Sequence, residues 1–194
     1  MDGNASIKDR VPPGQRLTDG FPVLHHGDVP YYRDLSQWNL KIFGQVEEQA
    51  EFSYDDFMNL PRREFGNDIH CVTTWSKLDN VWEGIAVSTV MERVKLKPEA
   101  KFVMLHAEQG WTTNLPLEDF LRDTSFFGIK HNGQELTPEH GYPVRMVVPH
   151  LYFWKSAKWL RGIEFMVKDK PGFWERNGYN MYGDPFLEQR YDFD

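Results

Sequence analysis

The 194-residue chain contains a single cysteine, Cys71. One cysteine excludes an internal disulfide and any metal site built from several protein thiolates. Positive charge is also scarce. Lys and Arg total 22 against 29 Asp and Glu, a net charge of −7, the wrong sign for general nucleic-acid binding. No apolar run approaches the roughly 18 residues that would cross a bilayer. The polar start, MDGNASIKDR, lacks the apolar stretch of a secretory signal, so a cytoplasmic location is expected. The glycine-rich dinucleotide signature, the P-loop signature, His-Glu-x-x-His and the Gly-x-Ser-x-Gly elbow are all missing, which leaves nucleotide-dependent and serine-hydrolase chemistry without support.

What the chain does have is apolar and aromatic bulk. Hydrophobic residues make up 40% and aromatics 15%, enough for one folded domain rather than a disordered chain. Pro12, Pro13, Gly14 and Gly20 mark residues 1–20 as an irregular lead-in, and residues 21–169 read as the domain proper. From Lys170 on, glycines and prolines alternate with Phe173, Trp174, Tyr179, Tyr182 and Phe186. Residues 170–194 therefore read as a tail laid over the body.

Within the domain, Trp38–Ile42 alternates as a strand, and Ser53 caps a short helix from Tyr54 to Leu60. Asp68–Thr73 reads as extended. Ser88 is placed to cap a helix reaching Val94, and Pro116 to open one over Leu117–Leu121. Lys101–Leu105, Val144–Val148 and Gly162–Val167 read as strands. Asn132-Gly133 predicts a hairpin between Phe126–Lys130 and Gln134–Leu136. Many strands with few, short helices predict an α+β domain with mixed and antiparallel sheets.

Cys71, in Ile-His-Cys-Val-Thr-Thr-Trp-Ser76, admits three readings: a small buried hydrophobe in a strand, a nucleophile needing a histidine from elsewhere, or the one protein thiolate of a metal whose other ligands come from a cofactor. His70 is a poor base for it, because strand neighbours face opposite ways. Residues 139–164 form a basic island in an acidic chain. They hold Arg145, Lys155, Lys158 and Arg161, with His140 and His150, among Tyr152, Phe153, Trp154 and Trp159. Arginine and lysine among flat aromatics suit a heterocycle carrying a phosphate.

The Cys71 segment, the His140-Gly-Tyr-Pro-Val-Arg145 and Ser156-Ala-Lys158 segments, and Leu115-Pro-Leu117 between them together resemble the molybdopterin-binding domain of the sulfite oxidase family, above all its small bacterial members. The resemblance runs from about Pro22 to Val167. It implies a molybdenum-molybdopterin cofactor, with Cys71 as the metal ligand beside the two dithiolene sulfurs. It assigns His140, Arg145, Ser156, Ala157 and Lys158 to the pterin and its phosphate. Pro22, Val23, Leu24, His25 and His26 match the segment that closes over the pterin, and Ala107 falls near another contact. Thr74, Trp75 and Trp111 join His25 and His26 as candidates for the pocket wall, with His150 further off, and Trp111 stands at the place of a catalytic tyrosine. The resemblance implies an oxidoreductase moving an oxygen atom to or from a small substrate, either a sulfite-oxidase-like or an S-oxide-reductase-like enzyme. With no haem segment in the sequence as given, a separate electron-transfer partner is expected. Three departures weigh against sulfite. Ser76 and Leu24 replace arginines and Trp111 replaces a phenol, all of which would hold an oxyanion. A cofactor-binding module without turnover is the alternative, and a thiol hydrolase a third.

Overall fold

A computed structural model describes residues 6–194. The first five residues, part of the expected lead-in, lie outside the described residues. In chain order the elements are α1 (Ile7–Arg10), β1 (Arg16–Leu17), β2 (Asn39–Gly44), β3 (Ala50–Ser53), α2 (Tyr54–Met58), β4 (Arg63–His70), β5 (Trp75–Ala86), α3 (Val87–Met91), β6 (Phe102–Ala107), β7 (Thr112–Pro116), α4 (Leu117–Phe120), β8 (Phe126–His131), β9 (Gln134–Glu135), β10 (Arg145–Val147), β11 (Leu160–Met166) and α5 (Phe173–Arg176).

The strands form two sheets. One runs β3-β2-β11-β6-β7, parallel only between β2 and β11. The other centres on the long β5, which pairs antiparallel with β4 and β8 and parallel with β1, while β9 and β10 join β8. The mixed α+β architecture is the one the strand count predicts. Alternation builds the first sheet: in β2, Leu40 and Ile42 are fully buried while Lys41 is exposed. Those side chains join Phe127, Val144, Met146 and Val148 in one core. A second cluster gathers Ile69, Cys71, Trp75, Trp82, Phe126, Phe153 and Trp154. Cys71 and Trp75, singled out in the sequence, belong to this second cluster.

Local chemistry explains the short helices. Ser53 and Asp56 form a capping box, with the Asp56 amide donating to Ser53 Oγ at 3.1 Å and Ser53 Oγ donating to Asp56 Oδ2 at 2.6 Å. Elsewhere burial overrides the cap. α3 begins at Val87 with Ala86 as its cap, not at Ser88, and it stops at Met91, short of Val94. Val87 and Val90 are the buried residues of that helix, so its start is fixed where β5 leaves the sheet. Pro116 ends β7 and stands one residue before α4, not at its first position.

The lead-in is more ordered than its prolines predict. α1 and β1 fall within it, and Arg10 forms hydrogen-bonded ion pairs with Asp68 and Asp79. Gln15 Nε2 donates to the Cys71 carbonyl at 3.0 Å. At the other end, the Tyr152 amide donates to the Gly183 carbonyl at 2.8 Å, and Glu175 is buried. The segment after residue 170 is thus bound to the body.

Candidate cofactor and active site

β4 ends at His70, so Cys71 stands just past the strand, in the turn that leads to β5. The expected extension to Thr73 fails because the chain reverses here: the Thr74 amide donates back to the Cys71 carbonyl, and Thr74 takes a positive φ of 72°. The turn lifts the Cys71 thiol out of the sheet into a cavity of about 330 Å³. Its sulfur lies 3.1 Å from Thr73 Oγ1. Burial pushes the thiol pKa up. His70 points elsewhere, its Nδ1 2.8 Å from Ser76 Oγ. Among the described residues no histidine hydrogen-bonds the thiol, so the nucleophile reading lacks its base.

The cavity collects most of the residues the sequence singles out. Its lining includes Pro22, Leu24, His25 and His26, then Cys71, Trp75, Ala107 and Trp111, and then His140, Arg145, Ser156 and Lys158. Several expectations need correction. Val23 is exposed and Ala157 is buried in the core, and neither is on the wall. The neighbour Thr73 lines the cavity in place of Thr74. His150 pairs with Asp119 at 2.8 Å, away from the cavity. Ser76 is fully buried against His70 and does not face the site.

The basic island divides in two. Lys155 and Arg161 are paired cations, with Glu175 at 2.7 Å and Glu108 at 2.6 Å respectively. Arg145 and Lys158 have no carboxylate partner among the described residues. Arg145 is 2% exposed and donates only to the carbonyls of His140 and Ser156, each at 2.9 Å, while its Nε has no partner. Burial lowers its pKa to about 9. Its guanidinium lies 4.3 Å from the Phe153 ring centroid. Lys158 donates to the carbonyls of Leu24 and Glu139 at 2.7 and 2.8 Å, and burial lowers it to about 7. Gly141 brings the two together. Its φ is +108°, and a Cβ there would stand 3.1 Å from the Cβ atoms of both Arg145 and Lys158.

His140 is held in one tautomer. Its Nε2 faces the Phe21 carbonyl at 3.0 Å, which can only accept, so Nε2 carries the proton and Nδ1 accepts from Thr137 Oγ1 at 2.9 Å. Its ring packs on Phe21, with centroids 4.1 Å apart.

Arg145 is buried and Lys158 half-buried, and neither has a carboxylate partner among the described residues, so an anion in the cavity would compensate them. The same cavity offers a thiol and flat aromatic faces, with Phe153 against Arg145 and Trp159 against Lys158. These donors fit the group that the sequence resemblance implies: a soft sulfur for molybdenum, aromatic surface for a pterin, and cations for its phosphate. The sequence reading missed Phe21, Val72, Trp174 and Tyr179 on this wall. The only signal was the clustering of aromatics in a turn-rich tail.

A redox cofactor site of this construction places the chain among the cofactor-dependent oxidoreductases. The chain belongs to the oxidoreductase molybdopterin-binding domain family, whose model matches residues 26–174. It is similar to YuiH, an uncharacterized oxidoreductase of Bacillus subtilis strain 168, with 59% identity over 95% of this chain and 93% of that protein. It is also similar to YedZ1 of Azospira oryzae, a putative protein-methionine-sulfoxide reductase subunit, with 25% identity over 88% of this chain and 66% of that protein. MsrP of Campylobacter jejuni, a protein-methionine-sulfoxide reductase catalytic subunit, is 27% identical over 77% of this chain and 56% of that protein. Among solved structures, the sulfane dehydrogenase SoxCD of Paracoccus pantotrophus shares the fold. Its TM-score is 0.69 at 22% identity, covering 79% of this chain and 43% of that one. The protein is therefore a molybdopterin-type oxidoreductase. No helix among the described residues is long and apolar enough to cross a membrane.

Proposed function

We propose that the chain reduces a small neutral S-oxide, using a molybdenum-molybdopterin cofactor whose metal is held by the Cys71 thiolate. The carrying observation is the meeting of Cys71 with Arg145 and Lys158 in one cavity, the first cation buried and the second half-buried, neither with a carboxylate partner among the described residues.

In this reading Arg145 and Lys158 bind the cofactor phosphate, the Ser156 hydroxyl binds a polar edge, and the fixed His140 ring offers its face. Ser156 Oγ accepts from the Val148 amide at 2.9 Å, which leaves its own proton free to donate. When bound, the metal supplies two-electron chemistry coupled to movement of an oxygen atom. Burial raises the pKa of the Cys71 thiol, and as a metal ligand it would be held as the thiolate. Trp75, Trp111, Trp174 and Tyr179 exclude water from the space beside the thiol.

The chemistry of that space favours an S-oxide over sulfite. A sulfite dianion needs cationic donors next to the metal. Arg145 and Lys158 are assigned to the phosphate, and Ser76 is turned away. A neutral S-oxide asks only for a hydrogen-bond donor and apolar surroundings. The names of YedZ1 and MsrP as methionine-sulfoxide reductase subunits support the same class, and the word subunit supports a separate electron-transfer partner.

Protein made in a molybdenum-replete host should carry one molybdenum per chain and oxidise reduced methyl viologen in the presence of dimethyl sulfoxide or methionine sulfoxide. Fully loaded protein with no turnover on a panel of S-oxides and N-oxides would overturn the reductase reading and favour the cofactor-binding module.

A further inference from the structure

The family match ends at residue 174, yet the cavity wall continues to Tyr179. Trp174 and Tyr179 stack at 5.0 Å with an interplanar angle of 17°. Tyr179 also meets the cavity-lining Trp154 edge-on at 5.0 Å. His26, which also lines the cavity, packs on Phe173 at 4.4 Å and on Trp174 at 5.9 Å. The tail and the 21–26 segment therefore meet over the site.

One buried ion pair fastens this segment. Lys155 and Glu175 both have fully buried side chains, 2.7 Å apart. Glu175 Oε1 also accepts from Trp154 Nε1 and Thr113 Oγ1, each at 2.9 Å. Lys155 Nζ donates further to Asn114 Oδ1 at 2.8 Å and to the Met181 carbonyl at 2.7 Å. The pair thus ties the tail on both sides of Tyr179, at 175 and at 181. Gly172 allows the close approach: a Cβ there would stand 2.5 Å from both the Thr112 carbonyl oxygen and Thr113 Cα.

We infer that residues 172–183 form the substrate-selecting wall of the site, with Trp174 and Tyr179 limiting substrate bulk and Lys155 and Glu175 as positioning residues. The substrate class rests on the oxygen-atom-transfer reading, but the wall is testable without turnover, because Cys71 is the sole cysteine and lies within the same cavity.

The test is the alkylation rate of Cys71 in the full chain made without cofactor, with iodoacetamide as the small reagent and N-(1-pyrenyl)maleimide as the bulky one. Wild-type protein should react slowly, and far more slowly with the bulky reagent. Trp174→Ala should raise the bulky rate at least fivefold relative to the small one. Glu175→Gln should raise both rates about tenfold, with amide exchange increased over 172–183 while β6 and β11 stay protected. Adding Lys155→Met to Glu175→Gln should bring the rates back to within about twofold of wild type, because no uncompensated charge remains. An unchanged size ratio in Trp174→Ala overturns the wall, and unchanged exchange over 172–183 in Glu175→Gln overturns the anchor. Neither readout depends on turnover, so failure of the reductase reading would appear separately, as wild-type protein that is loaded and inactive.

Discussion

Lys155 and Arg145 lie ten residues apart, and both are almost fully buried cations. Lys155 has a carboxylate at 2.7 Å and its three protons are all accepted within the protein. Arg145 has two backbone carbonyls, an aromatic face and an unpartnered Nε. Burying a charge costs several kcal/mol, and a good partner offsets that cost only in part. The paired site has no need of a ligand and acts on structure. The unpaired one carries an unmet electrostatic demand that an anion must satisfy. In the proposed reading the difference separates an anchor from a binding site, although both residues come from the same basic stretch of sequence.

The contrast can be broken by removing one partner at a time. The largest loss of stability is expected at the paired site. Glu175→Gln leaves Lys155 buried and uncompensated, which costs about 3–5 kcal/mol. Denaturant unfolding of the cofactor-free chain measures it, and a loss below about 1 kcal/mol would make the pair dispensable. At the unpaired site the expectation reverses. Arg145→Met should leave the cofactor-free chain as stable as wild type or more so, while cofactor content falls at least tenfold. Parallel melts and molybdenum analysis decide this, and a destabilised but normally loaded variant would refute it.

A subtler effect concerns Lys158. Burial lowers its pKa from 10.5 to about 7. The unfolded chain then binds more protons between those two values, so the stability of the cofactor-free chain rises with pH from about 7 to 10.5. Below about 7 both states hold the proton, and this contribution no longer changes. Anion binding runs the other way, since it needs the protonated amine and weakens as pH climbs through 7. Thermal melts across this range should lose that part of their slope in Lys158→Met, and an identical slope would remove Lys158 from the account.

The sequence showed some of this and hid the rest for physical reasons. The Ser53 capping box and the Asn132-Gly133 hairpin are local devices, and the short-range pattern is enough to read them. The strand β5 is not local. Its register shifts against both β4 and β8, and Asp79 takes a positive φ inside it, so no clean alternation survives in Trp75–Ala86. At the site, Cys71, His140, Arg145 and Lys158 were singled out by the family resemblance, and the structure brings all four to one cavity. That Lys155 and Arg161 are not free cations was hidden, because Glu175 and Glu108 are distant in sequence. Trp174 and Tyr179 were hidden for the same reason: nothing in a turn-rich tail says which surface it will cover.

The central claim is that Cys71 supplies the one protein sulfur at a metal whose cofactor docks on Arg145 and Lys158. Sulfur ligation at molybdenum, measured by X-ray absorption on loaded protein, tests it most directly. Three sulfur ligands are expected in the wild type, two from the pterin dithiolene and one from Cys71, and two in any Cys71→Ser protein that retains metal. The same sulfur count in both proteins would contradict it.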